Sequence, residues 1–125
     1  MLKTLLIIGS GGFLGSVSRF LVSKYVHVFW PTYFPLGTLL VNISGCFLIG
    51  LIYGMSERTN LFNSDLRLFL TIGFCGGFTT FSTFANENIT LLRDSEYFYF
   101  ILYTSLSVIL GLSATFIGNL IIKHL

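Results

Sequence analysis

Where this chain refuses charge constrains it most. Its 7 basic and 5 acidic side chains leave uncharged stretches over residues 4–18, 25–56, 68–86 and 97–122. An unpaired charge near the centre of a bilayer costs several kcal/mol, so these stretches read as membrane helices. Each crossing needs about 20 apolar residues, and 125 residues therefore hold four crossings, short connections and no separate extramembrane domain. Only 10% of the residues are charged, against roughly 25% in soluble domains, which excludes an ordinary water-soluble fold. No basic run offers the footprint of a nucleic-acid binder.

The expected architecture is an all-α integral membrane protein, one domain over residues 1–125, with transmembrane helices near 4–25, 36–55, 68–86 and 97–122. Pro31 and Pro35 delay the second helix to about Leu36 and leave Trp30, Tyr33 and Phe34 at an interface. The first stretch is too short to cross alone, so Arg19 and Lys24 are drawn into its helix. Arg19 then either snorkels to the interface or lines a wet vestibule. Lys3, an apolar core and Ser16-Val17-Ser18 imitate a signal peptide. Cleavage would, however, discard Gly11 and Gly15, which are spaced for helix packing.

The third stretch is irregular. Gly73, Gly76 and Gly77 are followed by Thr79, Thr80, Ser82 and Thr83, which combines helix breakers with hydroxyls able to satisfy freed backbone groups. A helix broken near its middle is the economical reading, and such backbone is where channels and transporters place ion sites. An intact helix with small packing residues is the alternative. Phe74, Phe78, Phe81 and Phe84 recur at helical spacing beside those hydroxyls. A phenyl ring has a positive edge, so rings turned edge-on can hold a small anion without a fixed cation.

Enzymes and coupled pumps fit poorly. Glu57, Asp65, Glu87, Asp94 and Glu96 fall at span ends or in loops, which leaves no mid-span carboxylate for a proton relay. His27 and His124 cannot form a facing pair of haem ligands, Cys46 and Cys75 read as free thiols, and no span carries a nucleophile beside a base. What remains is neutral and polar: Thr38 and Asn42 share one helix face, and Tyr103 and Ser107 share another. Lys3, Arg58, Arg67 and Lys123 oppose Arg19, Lys24 and Arg93, a split of four to three that scarcely fixes orientation. A chain inserted both ways can pair as an antiparallel, dual-topology homodimer, whereas Lys3 and Arg58 holding one orientation is the other reading.

At these residues the sequence resembles the Fluc (CrcB) family, small fluoride channels of microbial membranes, over nearly the whole chain. The resemblance rests on Gly12, Gly15, Arg19 and Phe20 in span one, and on Gly37-Thr38, Val41-Asn42, Gly45, Phe47 and Gly50 in span two. Its most specific part is the run from Gly73 to Phe84, followed by Glu87; span four adds Tyr103, Ser107, Gly111, Ala114 and Gly118. It implies an antiparallel homodimer with two fluoride pores and a structural sodium ion on the dimer axis. It further implies that Asn42 donates along the pore, that Phe81 and Phe84 meet the anion through their ring edges, and that the Gly76 and Thr79 carbonyls hold the sodium. Thr38, Ser82, Thr83, Tyr103 and Ser107 match pore-lining or pore-adjacent positions, and Gly111 stands where some members carry a hydroxyl. The expected activity is passive fluoride export, without catalysis, through a cell membrane. A small cation-coupled exporter and a non-conducting assembly subunit are the alternatives.

Overall fold

The computed structural model describes residues 1–58 and 63–125. Among them, four helical stretches are long and apolar enough to cross a membrane: Leu2–Phe29, Leu36–Arg58, Ser64–Arg93 and Tyr97–Lys123. The first is α1 and the second α2; the third divides into α3 (64–78) and α4 (Phe81–Arg93), and the last is α5 (Tyr97–Lys123). All four run past the C-terminal end of their uncharged stretch: α2 and α5 finish on Arg58 and Lys123, which reach the headgroup region, whereas α1 and the third stretch carry Arg19 and Glu87 within them. The chain is therefore a multi-pass membrane protein.

Side-chain ties at the two ends agree with this threading. On one side, Tyr33 in the α1–α2 loop donates to Asp94 just after α4. That carboxylate pushes the phenol up to about 12. On the other side, Lys3 pairs with Asp65 at 2.9 Å, and Arg58 donates to the Ile122 carbonyl in the last turn of α5 and to the Leu125 carbonyl just past it. The turn into α5 places Ser95 at φ 59, and the Ser95 and Glu96 N–H groups return to the Leu92 and Leu91 carbonyls at 3.1 and 2.8 Å, a Schellman closure.

Helices meet here through their backbones. The only buried residues of α1 are Gly11 and Gly15. A Cβ added at Gly15 would run into the Phe74 carbonyl and lie 2.9 Å from the Phe78 nitrogen; at Gly11 it would lie 2.5 Å from the Phe69 carbonyl. On the other flank, a Cβ at Gly118 of α5 would lie 2.7 Å from the Phe47 carbonyl of α2. Lipid tails are as apolar as leucine, so close van der Waals contact rather than hydrophobic exclusion holds such helices together. The buried cluster of Leu39, Leu91 and Tyr103 joins α2, α4 and α5.

The third span breaks, but not at its glycines. Gly73 and Gly77 are helical and press against α1, with the added Cβ of Gly77 2.6 Å from the Gly12 carbonyl. Residues Phe69–Cys75 form a π-helical stretch, the looser winding often found near functional sites. Helical geometry stops at Thr79 and Thr80, whose ψ angles of 156° and 125° are extended. Two β-branched residues with hydroxyls that bond locally favour such an exit.

This packing generates a test. Gly15→Val should cost several kcal/mol and abolish monodisperse folded protein in detergent, since the obstructing atoms are backbone. Gly9→Val, with nothing within 4 Å of the added Cβ, should leave elution and thermal denaturation within about 0.5 kcal/mol of the parent. Equal behaviour of the two variants would contradict the docking of α1.

Candidate ion site at the interrupted span

The site is built around one amide. Asn42 of α2 accepts from the Thr80 N–H through Oδ1 at 2.8 Å and donates to the Thr80 carbonyl through Nδ2 at 3.0 Å. A side chain thus replaces the partners that the interrupted helix withdraws, as backbone at membrane depth requires. One Nδ2 hydrogen of Asn42 remains to be directed elsewhere. Gly45, one turn on, leaves room for the Thr79 methyl, which a Cβ there would strike.

The hydroxyls organise the next turn. Thr80 caps α4 by accepting from the Thr83 N–H at 3.2 Å, and its hydroxyl also meets Thr83 Oγ1 at 3.2 Å and Ser82 Oγ at 3.3 Å. The Gly76 and Thr79 carbonyls are among those that lose their helical donors as a result. The Thr80 N–H that would reach Gly76 is taken by Asn42, and the Thr83 N–H that would reach Thr79 is taken by the Thr80 hydroxyl. Gly76 and Thr79 therefore present two freed carbonyls beside the negative end of the α3 dipole, a donor set that suits a hard cation such as sodium. Arg19 reaches the same end. Its Nε donates to the Gly77 carbonyl at 3.1 Å, so the guanidinium caps the half-helix and is held at the interruption.

The phenylalanine stripe is divided by the break. Phe74 and Phe78 stack with centroids 5.6 Å apart and planes 14° apart, while Phe81 and Phe84 tilt at 44° across 5.6 Å. Phe78 is buried, whereas Phe81 is 78% exposed. A cavity of ≈ 420 Å³ opens beside the break; Asn42, Gly76, Thr79, Phe81, Phe84 and Ser107 are among the residues that line it. Cys46 and Cys75 line it too, both as free thiols. Gly111 lies against Cys46, its added Cβ 3.5 Å from the sulfur.

Thr38 and Tyr103 belong to a different grouping. Thr38 Oγ1 donates to one Glu87 carboxylate oxygen at 3.1 Å and Tyr103 Oη donates to the other at 2.8 Å. Tyr103 is fully buried, with Phe34 edge-on at 5.6 Å and Phe84 at 5.0 Å. Glu87 thereby ties α2, α4 and α5 together. It lies well inside the third helical stretch rather than at its end, because α4 continues to Arg93. A second cavity of ≈ 300 Å³, lined among others by His27, Thr38 and Glu87, opens toward the α1–α2 loop.

Of the pore residues expected from sequence, Asn42, Phe81, Phe84 and Ser107 meet at one cavity, Thr38 and Tyr103 at Glu87, and Ser82 and Thr83 at the Thr80 hydroxyl. Sequence reasoning named Thr80 among the hydroxyls able to satisfy freed backbone groups, and left Glu87 without a role. Spacing held a clue for the latter: Glu87 follows Phe84 by three positions and so shares its face.

The model of the CrcB-like protein family, described also as camphor resistance, matches residues 6–119. A Flavobacterium psychrophilum protein named fluoride-specific ion channel FluC is 48% identical over 99% of this chain and 100% of its own length. Proteins of the same name from Chlorobium phaeobacteroides and Phocaeicola vulgatus are 49% and 48% identical over 95% and 94% of this chain and 92% and 96% of theirs. With a family model spanning nearly all its length and relatives of this identity, the chain belongs to the CrcB family.

Proposed function

We propose that this protein is a fluoride-selective channel that lowers cytoplasmic fluoride by passive export. The observation that carries the reading is the convergence of Asn42, Phe81, Phe84 and Ser107 on one cavity at the break of the third span, in a chain whose full-length relatives are named fluoride-specific channels. Fluoride crosses membranes as neutral hydrofluoric acid and is trapped when it ionises. A negative interior then drives the anion out, each 100 mV being worth about 2.3 kcal/mol per charge. Stripping a small anion of water costs tens of kcal/mol in a low dielectric. The positive ring edges, the spare Asn42 hydrogen and the positive end of the α4 dipole are the groups that offset it here.

The working unit is an antiparallel homodimer with two pores. Interrupted backbone is tolerated at membrane depth only against protein or water, and the cavity beside Thr79 and the largely exposed Phe81 need such a cover. A second copy supplies it. With Arg19 drawn to Gly77, the flanking cations divide four to two, still a weak directional bias. In such a dimer the freed Gly76 and Thr79 carbonyls of each copy would hold a structural sodium ion, which would offset the negative ends of the two α3 dipoles.

The decisive measurement is fluoride efflux from liposomes containing the pure protein, with chloride as control. Selective fluoride flux is expected; its absence in several lipids, or equal chloride flux, refutes the reading and favours a coupled exporter or an assembly subunit. Phe81→Ile and Phe84→Ile, which keep bulk and remove the quadrupole, should each lower the flux at least tenfold, about 1.4 kcal/mol on the limiting barrier. Asn42→Asp should stop it, since an oxygen would then face the Thr80 carbonyl and a negative charge the anion.

The assembly is tested by topology and by ion removal. Labels at Lys123 should react from both sides of the membrane in comparable amounts, and labelling from one side only defeats the antiparallel arrangement. Prolonged sodium-free dialysis should weaken dimerisation without altering anion preference; unchanged association after exhaustive exchange argues against the ion.

A further inference from the structure

Hydroxyls in these spans often fold back on their own helix. Thr71, Thr79 and Thr90 donate to the carbonyls of Arg67, Cys75 and Asn86 at 2.7, 2.8 and 3.1 Å, the common bond to the residue four back, and Thr115 shares its hydroxyl between the Cys46 and Gly111 carbonyls at 3.0 and 3.2 Å. Thr104 and Ser107 of α5 do not. Their hydroxyl oxygens are buried without any partner, and so is Oδ1 of Asn88 on α4, a residue only 7% exposed.

These three polar atoms lie on two helices that pack together. The helices α4 and α5 meet where Tyr103 donates to Glu87 at 2.8 Å and where the Phe84 and Tyr103 rings approach to 5.0 Å. Asn88 and Thr104 each follow one partner of that bond by one residue, and Ser107 lies one turn past Tyr103 at the margin of the cavity that Phe84 lines. Abandoning a buried polar group costs roughly 1–3 kcal/mol, so such atoms in a native seam signal an occupant. Their chemistry selects it. Two hydroxyls carry hydrogens to donate while the amide oxygen can only accept, so an anion would be repelled by the Asn88 oxygen and a cation would leave both hydroxyl hydrogens without an acceptor. Water satisfies both kinds.

We infer that Asn88, Thr104 and Ser107 form a hydration site beside the ion path. A water there accepts from the Thr104 hydroxyl and donates to Asn88 Oδ1. Its second hydrogen stays available toward Ser107 and the ring edges of Phe84, where a partly dehydrated anion needs a donor. Thr104 and Asn88 act through the water and are positioning residues. This inference rests on the fluoride reading for its flux consequences, but the site itself does not.

The test uses the full-length protein in liposomes. Thr104→Val, nearly equal in size, and Asn88→Leu should each lower fluoride flux about tenfold while the protein elutes as the parent does. Thr104→Ser should restore at least half of the flux, which a packing role for the threonine methyl would not allow. Because one water serves both side chains, the double variant should fall no further than the lower single variant. Parental flux in Thr104→Val, no rescue by serine, or losses that multiply in the double variant would each overturn the site. A high-resolution crystal structure decides independently of flux: water bonded to Thr104 Oγ1 and Asn88 Oδ1 supports it, and a Thr104 hydroxyl turned back to the Phe100 carbonyl with no water refutes it. A parent protein that carries no fluoride at all would overturn the channel reading, and the crystal measurement would still decide the hydration site.

Discussion

A peptide group cannot be left without a partner in hydrocarbon, and the arrangement of this protein's third span follows from how that demand is met at Thr80. The Asn42 amide pairs with both the N–H and the carbonyl of that residue, much as a neighbouring strand would. Once Asn42 holds the Thr80 N–H, the helix cannot close across the gap, because the bond that would continue it is already made. The Thr80 hydroxyl then starts α4 anew by accepting from Thr83. One side chain of α2 therefore both breaks the third span and stabilises the break.

Two helix ends of opposite polarity result, a few residues apart. The carbonyl end of α3 attracts cations and holds Arg19 through Gly77, while the N-terminal end of α4 favours anions. Freed carbonyls and a spare amide hydrogen come from the same hydrogen-bonding event, so whatever each end holds is coupled through Asn42 and Thr80. Farther along α4, Glu87 takes the hydroxyls of Thr38 and Tyr103. Those two groups are already engaged with a carboxylate, which sets them apart from the unpartnered Ser107.

Local pattern disclosed the spans, because exclusion of charge from lipid acts on each residue separately. It also located the irregular third span, since glycines and hydroxyls cluster there. It gave the break jointly to glycines and hydroxyls, and only the second part holds: Gly73 and Gly77 are spent on contact with α1, and the Thr80 hydroxyl together with the Asn42 amide makes the exit. Only tertiary geometry separates a glycine needed for its missing Cβ from one needed for its flexibility. Arg19 to Gly77, Thr38 to Glu87 and Asn42 to Thr80 span 58, 49 and 38 residues of chain, and no periodicity announces such pairs. Glu87 looked terminal because charge was used to end the span, whereas two hydroxyl donors let the helix carry it inward.

The docking of α1 through Gly11 and Gly15, its two buried residues, has a consequence for how this helix carries information. What specifies its place is a pair of missing side chains rather than a set of matched ones. Most of its remaining surface is turned outward, and there the only demand is solubility in lipid. Away from these two glycines and from Arg19, which caps the half-helix at Gly77, sequence drift on α1 can therefore run almost freely among apolar residues without disturbing the ion site. The same helix tolerates almost nothing at two positions, so its record of selection should be written in hydrogen atoms, at sites where a larger residue would be easiest to overlook as merely another apolar one.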